Sequence, residues 1–191
     1  MEYTITGQDT KNRLRSQTEP HTQTGRSLIE LLICLVVLSV LLVKGVSSYA
    51  SMQKRQHLIG AAQASYFFMQ RARSESIRAN ATIHLDINPV GKACLGLSEI
   101  QGCQCDLINS CLINHQQNVF HFAEYPGITI TNVSFGTPPQ SRFIAPRGMA
   151  TGFAGSLQLT NGEHTLKLLL SNMGRVRICT TTPPFSPFKS C

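Results

Sequence analysis

The sequence predicts an α+β fold: one long N-terminal helix, half apolar and half amphipathic, packed on a C-terminal antiparallel β-sheet domain. Three observations carry this. Residues 28–43 form an apolar run in which Glu30 is the single charge. From Val46 to Asn80 there is no proline and one glycine, Gly60, while apolar or small residues recur at helical spacing. From Thr82 onward the pattern changes to short alternating runs separated by turn residues.

Extended through Lys44 to Ser48, the apolar run approaches the ~20 residues that cross a bilayer, so 26–48 is the expected transmembrane segment. A carboxylate at the bilayer centre costs about 2.5–3.5 kcal/mol and usually has a partner, so Glu30 demands one. In an ordinary anchor the same carboxylate would simply sit well at a helix N-terminus. Cys34, inside this helix, is expected as a buried thiol. Residues 1–25 are polar and lack the apolar stretch of a conventional secretory signal.

The amphipathic continuation covers 49–80. Leu58, Ala61, Ala62, Ser65, Phe68, Met69, Ala72 and Ile77 mark its inward face, and Lys54, Arg55, Arg71, Arg73 and Arg78 the solvated one. Unbroken from Leu28 to Ala79, the helix would measure about 78 Å at 1.5 Å per residue. Gly45 is its weak point, and Asn80 suits a C-terminal cap.

The β-domain occupies 81–191. Expected strands are 82–88, 119–123, 128–135, 142–145, 156–160, 165–170 and 175–180, with Asn161-Gly162 as a hairpin turn and Asn172-Met173-Gly174 as a second turn. Strands so close in sequence form an antiparallel sheet on the lower helix. Residues 89–117, with four cysteines and little periodicity, read as a disulfide-stapled loop, and 180–191 as an exposed, tethered tail.

Apart from Cys34, six cysteines remain: Cys94, Cys103, Cys105, Cys111, Cys179 and Cys191. An even set in an exported domain reads as disulfides. Cys179–Cys191 would close the Pro-rich tail, and the other four would pair among themselves. A zinc site with His115 competes, but Cys-x-Cys is not the usual Cys-x2-Cys of structural zinc, so no metal or other cofactor is expected. There is no nucleophile elbow, phosphate loop or His-Glu-x-x-His, and the six histidines are scattered, so no catalytic residue is assigned and an enzyme is not expected.

The net charge is +7. From Arg142 to Cys191 six bases (Arg142, Arg147, Lys167, Arg175, Arg177 and Lys189) face one acid, Glu163. In a strand, Arg175 and Arg177 project from one face, roughly 6.7 Å apart. Val176 then faces the core, and Gly174 allows the tight turn before them. Paired guanidiniums grip neighbouring phosphates bidentately. An exposed Arg pair on an edge strand equally discourages edge-to-edge association.

Three motifs carry a family resemblance. Gly25 directly precedes Arg26-Ser27-Leu28-Ile29-Glu30-Leu31-Leu32, which resembles the processing site of type IV prepilins and type II secretion pseudopilins. Ala72-Arg73-Ser74-Glu75-Ser76-Ile77-Arg78-Ala79-Asn80 resembles the helix end of the GspH/FimT group of minor pilins and pseudopilins, and Gly174-Arg175-Val176-Arg177 the DNA-binding element of FimT-type minor pilins. The resemblance implies the type IV pilin fold and a leader, 1–25, that prepilin peptidase cuts after Gly25. It also implies methylation of the new N-terminus and pairing of Glu30 with another subunit's terminal amine. Arg26 departs from the pattern, where the first mature residue is usually Phe or Met.

The resulting expectation is an inner-membrane-anchored minor pilin with a periplasmic domain. It would enter a pilus and bind DNA sequence-independently during natural transformation. Arg175 and Arg177 would make the phosphate contacts, with Gly174, Lys189, Arg147 and Arg142 in support. The alternatives are a structural, GspH-like pseudopilin of a type II secretion system and a minor pilin that primes assembly without binding DNA.

Overall fold

The computed structural model describes residues 27–181 and 185–191, without the side chains of 43–48. The leader, Gly25 and Arg26 lie outside the described residues. The chain divides into two compact units, Met1–Val43 and Lys44–Cys191. Helix α1 is assigned from Leu28 to Ala79.

In the first unit the helix opens on Ser27, whose carbonyl accepts the amides of Glu30 (2.9 Å) and Leu31 (3.3 Å). Glu30 lies in the first turn, where its charge complements the helix dipole. Every described residue from Leu28 to Leu42 is exposed. Cys34 is an exposed free thiol in the single chain, and among the described residues of the unit no other element packs on it. Among the described residues no helix is long and apolar enough to cross a membrane. The described apolar side chains end at Leu42 and cover about 22 Å at 1.5 Å per residue, against about 30 Å of hydrocarbon. The rest of the expected 26–48 span lies outside the described side chains.

In the second unit α1 buries Leu58, Ala61, Ala62, Ser65, Met69, Ala72 and Ser76, one stripe of a 3.6-residue period. Small residues dominate the stripe and let the sheets approach closely. A Cβ on Gly60 would stand 2.8 Å from Tyr125 Cε1. Ile77, expected on this face, is 47% exposed. The stripe continues through Ser76, whose hydroxyl donates to the Arg73 carbonyl, and leaves Ile77 about 100° round the helix. Asn80 ends the helix with φ 48°, and the Ala81 amide reaches back to Ser76 O, a Schellman arrangement.

The β-domain contains two four-stranded antiparallel sheets, not the single sheet expected. The strands are β1 (Ile83–Asn88), β2 (Cys94–Ser98), β3 (Leu112–Ile113), β4 (Gln116–Gln117), β5 (Val119–His121), β6 (Thr129–Ser134), β7 (Gln140–Phe143), β8 (Gly155–Thr160), β9 (Thr165–Leu170) and β10 (Val176–Thr180). One sheet runs β5-β2-β1-β7 and the other β10-β9-β8-β6, with β3-β4 a separate hairpin. Leu85, Leu95, Leu97 and Phe143 from the first sheet and Leu157, Leu159, Leu166 and Leu168 from the second form one core with the α1 stripe.

Several expected boundaries shift. The 119–123 strand ends at His121 and passes into a 3-10 turn, Phe122–Glu124. The strand expected at 142–145 lies two residues earlier, as β7.

The largest departure is in 89–117, expected to be irregular. It contains β2, an interior strand whose five residues are all buried. Burial on both faces removes the alternation that signals a strand. Leu95 and Leu97 enter the core, while Cys94 joins the sulfur cluster on the opposite face. Disulfides Cys94–Cys105 and Cys103–Cys111 cross over Gly96. A Cβ there would collide with Cys111 Sγ and come within 2.7 Å of Cys103 Sγ. The loop is thus clamped to the sheet, and Asp86 of β1 secures it by accepting the Cys103 amide at 3.1 Å.

The tail departs from expectation at Phe185. Cys179–Cys191 ties it back and Thr180 bridges Ser190 in parallel. Phe185 is buried, its ring 4.5 Å from His164 and under the Arg55 guanidinium at 4.8 Å. Arg55 also donates to the Ser186 carbonyl at 2.6 Å.

Candidate functional site

The site is built on the β9–β10 connection. Ser171 and Arg175 close it: the Ser171 amide donates to Arg175 O at 3.0 Å, and the Arg175 amide donates to Ser171 Oγ at 3.2 Å. Between them Gly174 has φ 71°, a left-handed conformation that disfavours a side chain. It also lies against the Gly148 carbonyl, with which a Cβ would collide. Gly148 in turn presses on Arg73, whose Cγ would lie 2.7 Å from a Cβ there. Two glycines therefore let three segments converge: the β9–β10 turn, the 145–148 turn and the end of α1.

The result is a groove of about 620 Å³ lined by Arg73, Ser171, Met173, Arg175 and Arg177. Arg175, in the turn just before β10, and Arg177, on β10, are exposed, Val176 between them is buried, and β10 is the edge of its sheet. Among the described residues the ion pair present is Arg78–Glu75 at 2.7 Å, so no carboxylate neutralises the three groove arginines. Arg73 Nε is buried without a hydrogen-bond partner. Uncompensated guanidiniums in one concavity form a site for an anion.

The supporting residues separate. Lys189 lines an adjoining groove of about 340 Å³ that also holds Arg177. Arg147 is exposed in the turn bridged by Ile144 and Met149, next in sequence to Gly148. Arg142 does not join them. It lies on β7 of the other sheet, paired with His84, with its guanidinium 3.8 Å above the Phe153 ring. That stacking removes it from the groove. Arg73, read from sequence as part of a solvated helix face, is the residue the sequence reading missed. Its position beside Ala72 and three residues before Ser76 places it on the flank of the buried stripe, where a side chain emerges next to the sheet.

Beneath the disulfide clamp, His84 and Asp86 share the outer face of β1. Burial pushes the His84 pKa down, Asp86 opposes this, and Arg142 adds to it. Burial pushes Asp86 up, against the stabilising amides of Cys103 and Gly102 and the neighbouring His84. Among the described residues no cluster of histidines, cysteines and acids is arranged to hold a metal.

No protein-family model matches the chain, and no curated protein does. Among solved structures, the minor pseudopilin EpsH from the type 2 secretion system of Vibrio cholerae aligns at a TM-score of 0.49 and 16% identity, covering 65% of this chain and 97% of that one.

Proposed function

We propose that the chain is a subunit of a type IV filament system, in the role of a structural minor pseudopilin of a type II secretion machine. One observation carries this reading. The described start of α1, Leu28–Leu42, is apolar all round and wholly exposed, with Glu30 as its one charge. A helix apolar on every side belongs inside something larger, a bilayer or a bundle of like helices. Gly25 immediately upstream supplies the cut, and the amine it frees on a neighbouring subunit supplies the partner that Glu30 lacks. The apolar helices would anchor the protein in the inner membrane before assembly and form the filament core afterwards, with the β-domain displayed outside.

Coexpression with a prepilin peptidase tests the first step. Intact mass should fall by residues 1–25, and Gly25→Ala should abolish the loss. Glu30→Val should leave cleavage intact and remove the protein from sheared filaments; full incorporation of that variant would defeat the assembly role. In cells, deletion should impair secretion.

A second reading, DNA contact during uptake, is favoured by a separate observation: Arg175 and Arg177 stand exposed beside Arg73 in a groove that no acid among the described residues lines. Sequence-independent phosphate contact would follow, weakening steeply with salt because counterion release gains less free energy in higher salt. Gel shifts with Arg175→Gln/Arg177→Gln decide it. Loss of binding supports DNA contact, and unchanged affinity leaves the secretion role alone.

A further inference from the structure

The basic groove does not end at Arg177. That residue also lines the second groove, with Lys189 and Pro187, and the second groove shares Ile178 and Phe188 with a third of about 380 Å³. The third is walled by Gln63, Tyr66 and Phe67 of α1. Phe67 is 66% exposed, and Tyr66 meets its ring edge-on at 5.3 Å. The three concavities thus form one course along the β10 edge, from three guanidiniums past a lysine to an aromatic end. Among the described residues, neither aspartate nor glutamate lines any part of it.

From this continuity we propose that the β10 edge is a track for single-stranded nucleic acid. The inference rests on the DNA-contact reading and adds to it the strand state of the ligand. A duplex offers the arginines its phosphates but keeps its bases stacked, leaving Phe67 and Phe188 unused. A single strand satisfies both ends of the track: phosphates lie on Arg73, Arg175 and Arg177, and an unstacked base lies on Phe67. Stacking of this kind is sequence-tolerant, since every base has a π-face. Near the arginines in sequence there are only Phe185 and Phe188. Phe185 is buried under Arg55, and the platform is instead completed by residues more than a hundred positions upstream.

Fluorescence anisotropy on the full chain in neutral detergent, with a labelled thymidine oligonucleotide and a duplex of the same length, tests the proposal. The single strand should bind more tightly. Phe67→Ala should weaken it about tenfold, a loss within the range for one stacked base, and leave the duplex unchanged. Phe67→Tyr should restore it. Arg175→Gln/Arg177→Gln should weaken both ligands. Equal affinity for the two forms, or a Phe67→Ala variant that binds the single strand as tightly as the parent, overturns the track and leaves phosphate contact standing. Binding of neither form overturns the DNA-contact reading itself. Because Phe67 is largely exposed, its truncation leaves the core intact, and an unchanged unfolding midpoint checks this.

Discussion

Gly96 shows how one missing side chain organises its surroundings. Its hydrogen atom leaves room for two disulfides to cross the outer face of an interior strand. Gly96→Ala should lower stability by about 1–3 kcal/mol, the usual cost of overpacking, read as an earlier urea midpoint. An unchanged midpoint would mean that the sulfur cluster yields easily. His84, on the same face, gives a pH test. Its folded pKa lies below the ordinary 6.5, so between the two values the unfolded chain binds more protons. Stability should therefore rise with pH through that window and be lost as pH falls. Asp86 acts the other way just above 3.8, where the folded state holds the extra proton. Melting temperatures of the parent and His84→Gln should diverge as pH rises from about 5 to about 7, the variant lacking the rise; parallel curves would remove His84 from the account.

Among the elements, the tail departs from expectation at Phe185. Its prolines and cysteine spacing suggested an exposed tether, yet Phe185 is driven into a seat made by His164 of the β8–β9 turn and Arg55 of α1. The Cys179–Cys191 bridge closes a short loop, and in the chain-entropy account its removal costs on the order of 3 kcal/mol. Cys191→Ser should thus shift urea unfolding earlier and open the chain near Thr181 to proteases; resistance equal to the parent's would show that Phe185 holds the tail unaided. The β9–β10 turn behaves differently, because its geometry was readable. Gly174 was assigned the tight turn from its place before two arginines, and its φ of 71° fits that place. Its contact with Gly148 was not readable, since nothing local joins residues 148 and 174.

At the scale of the whole molecule, two units have opposite needs. The second closes around its own core, whereas the described helix of the first exposes Leu28, Ile33, Leu35, Leu41 and their neighbours. An apolar surface of that size drives association in water. Light scattering on the full chain should show large assemblies that detergent disperses to single chains; a monomer in plain buffer would contradict both a membrane and a filament-core role for α1.

The sequence alone determined the elements whose signal is local. The α1 period, the Asn80 cap, the Asn161-Gly162 hairpin and most strands of the second sheet follow from spacing and turn chemistry over a few residues. The basic balance of the last fifty residues was equally plain. Only the tertiary structure decided what depends on residues distant in the chain. It made β2 a strand, because burial on both faces erases alternation. It divided the expected sheet in two, since strand partners are chosen by packing. It set Arg142 on Phe153 and brought Arg73 to the Arg175 turn. Glycine contacts between segments fixed that last arrangement, and they become visible only once the chain has folded.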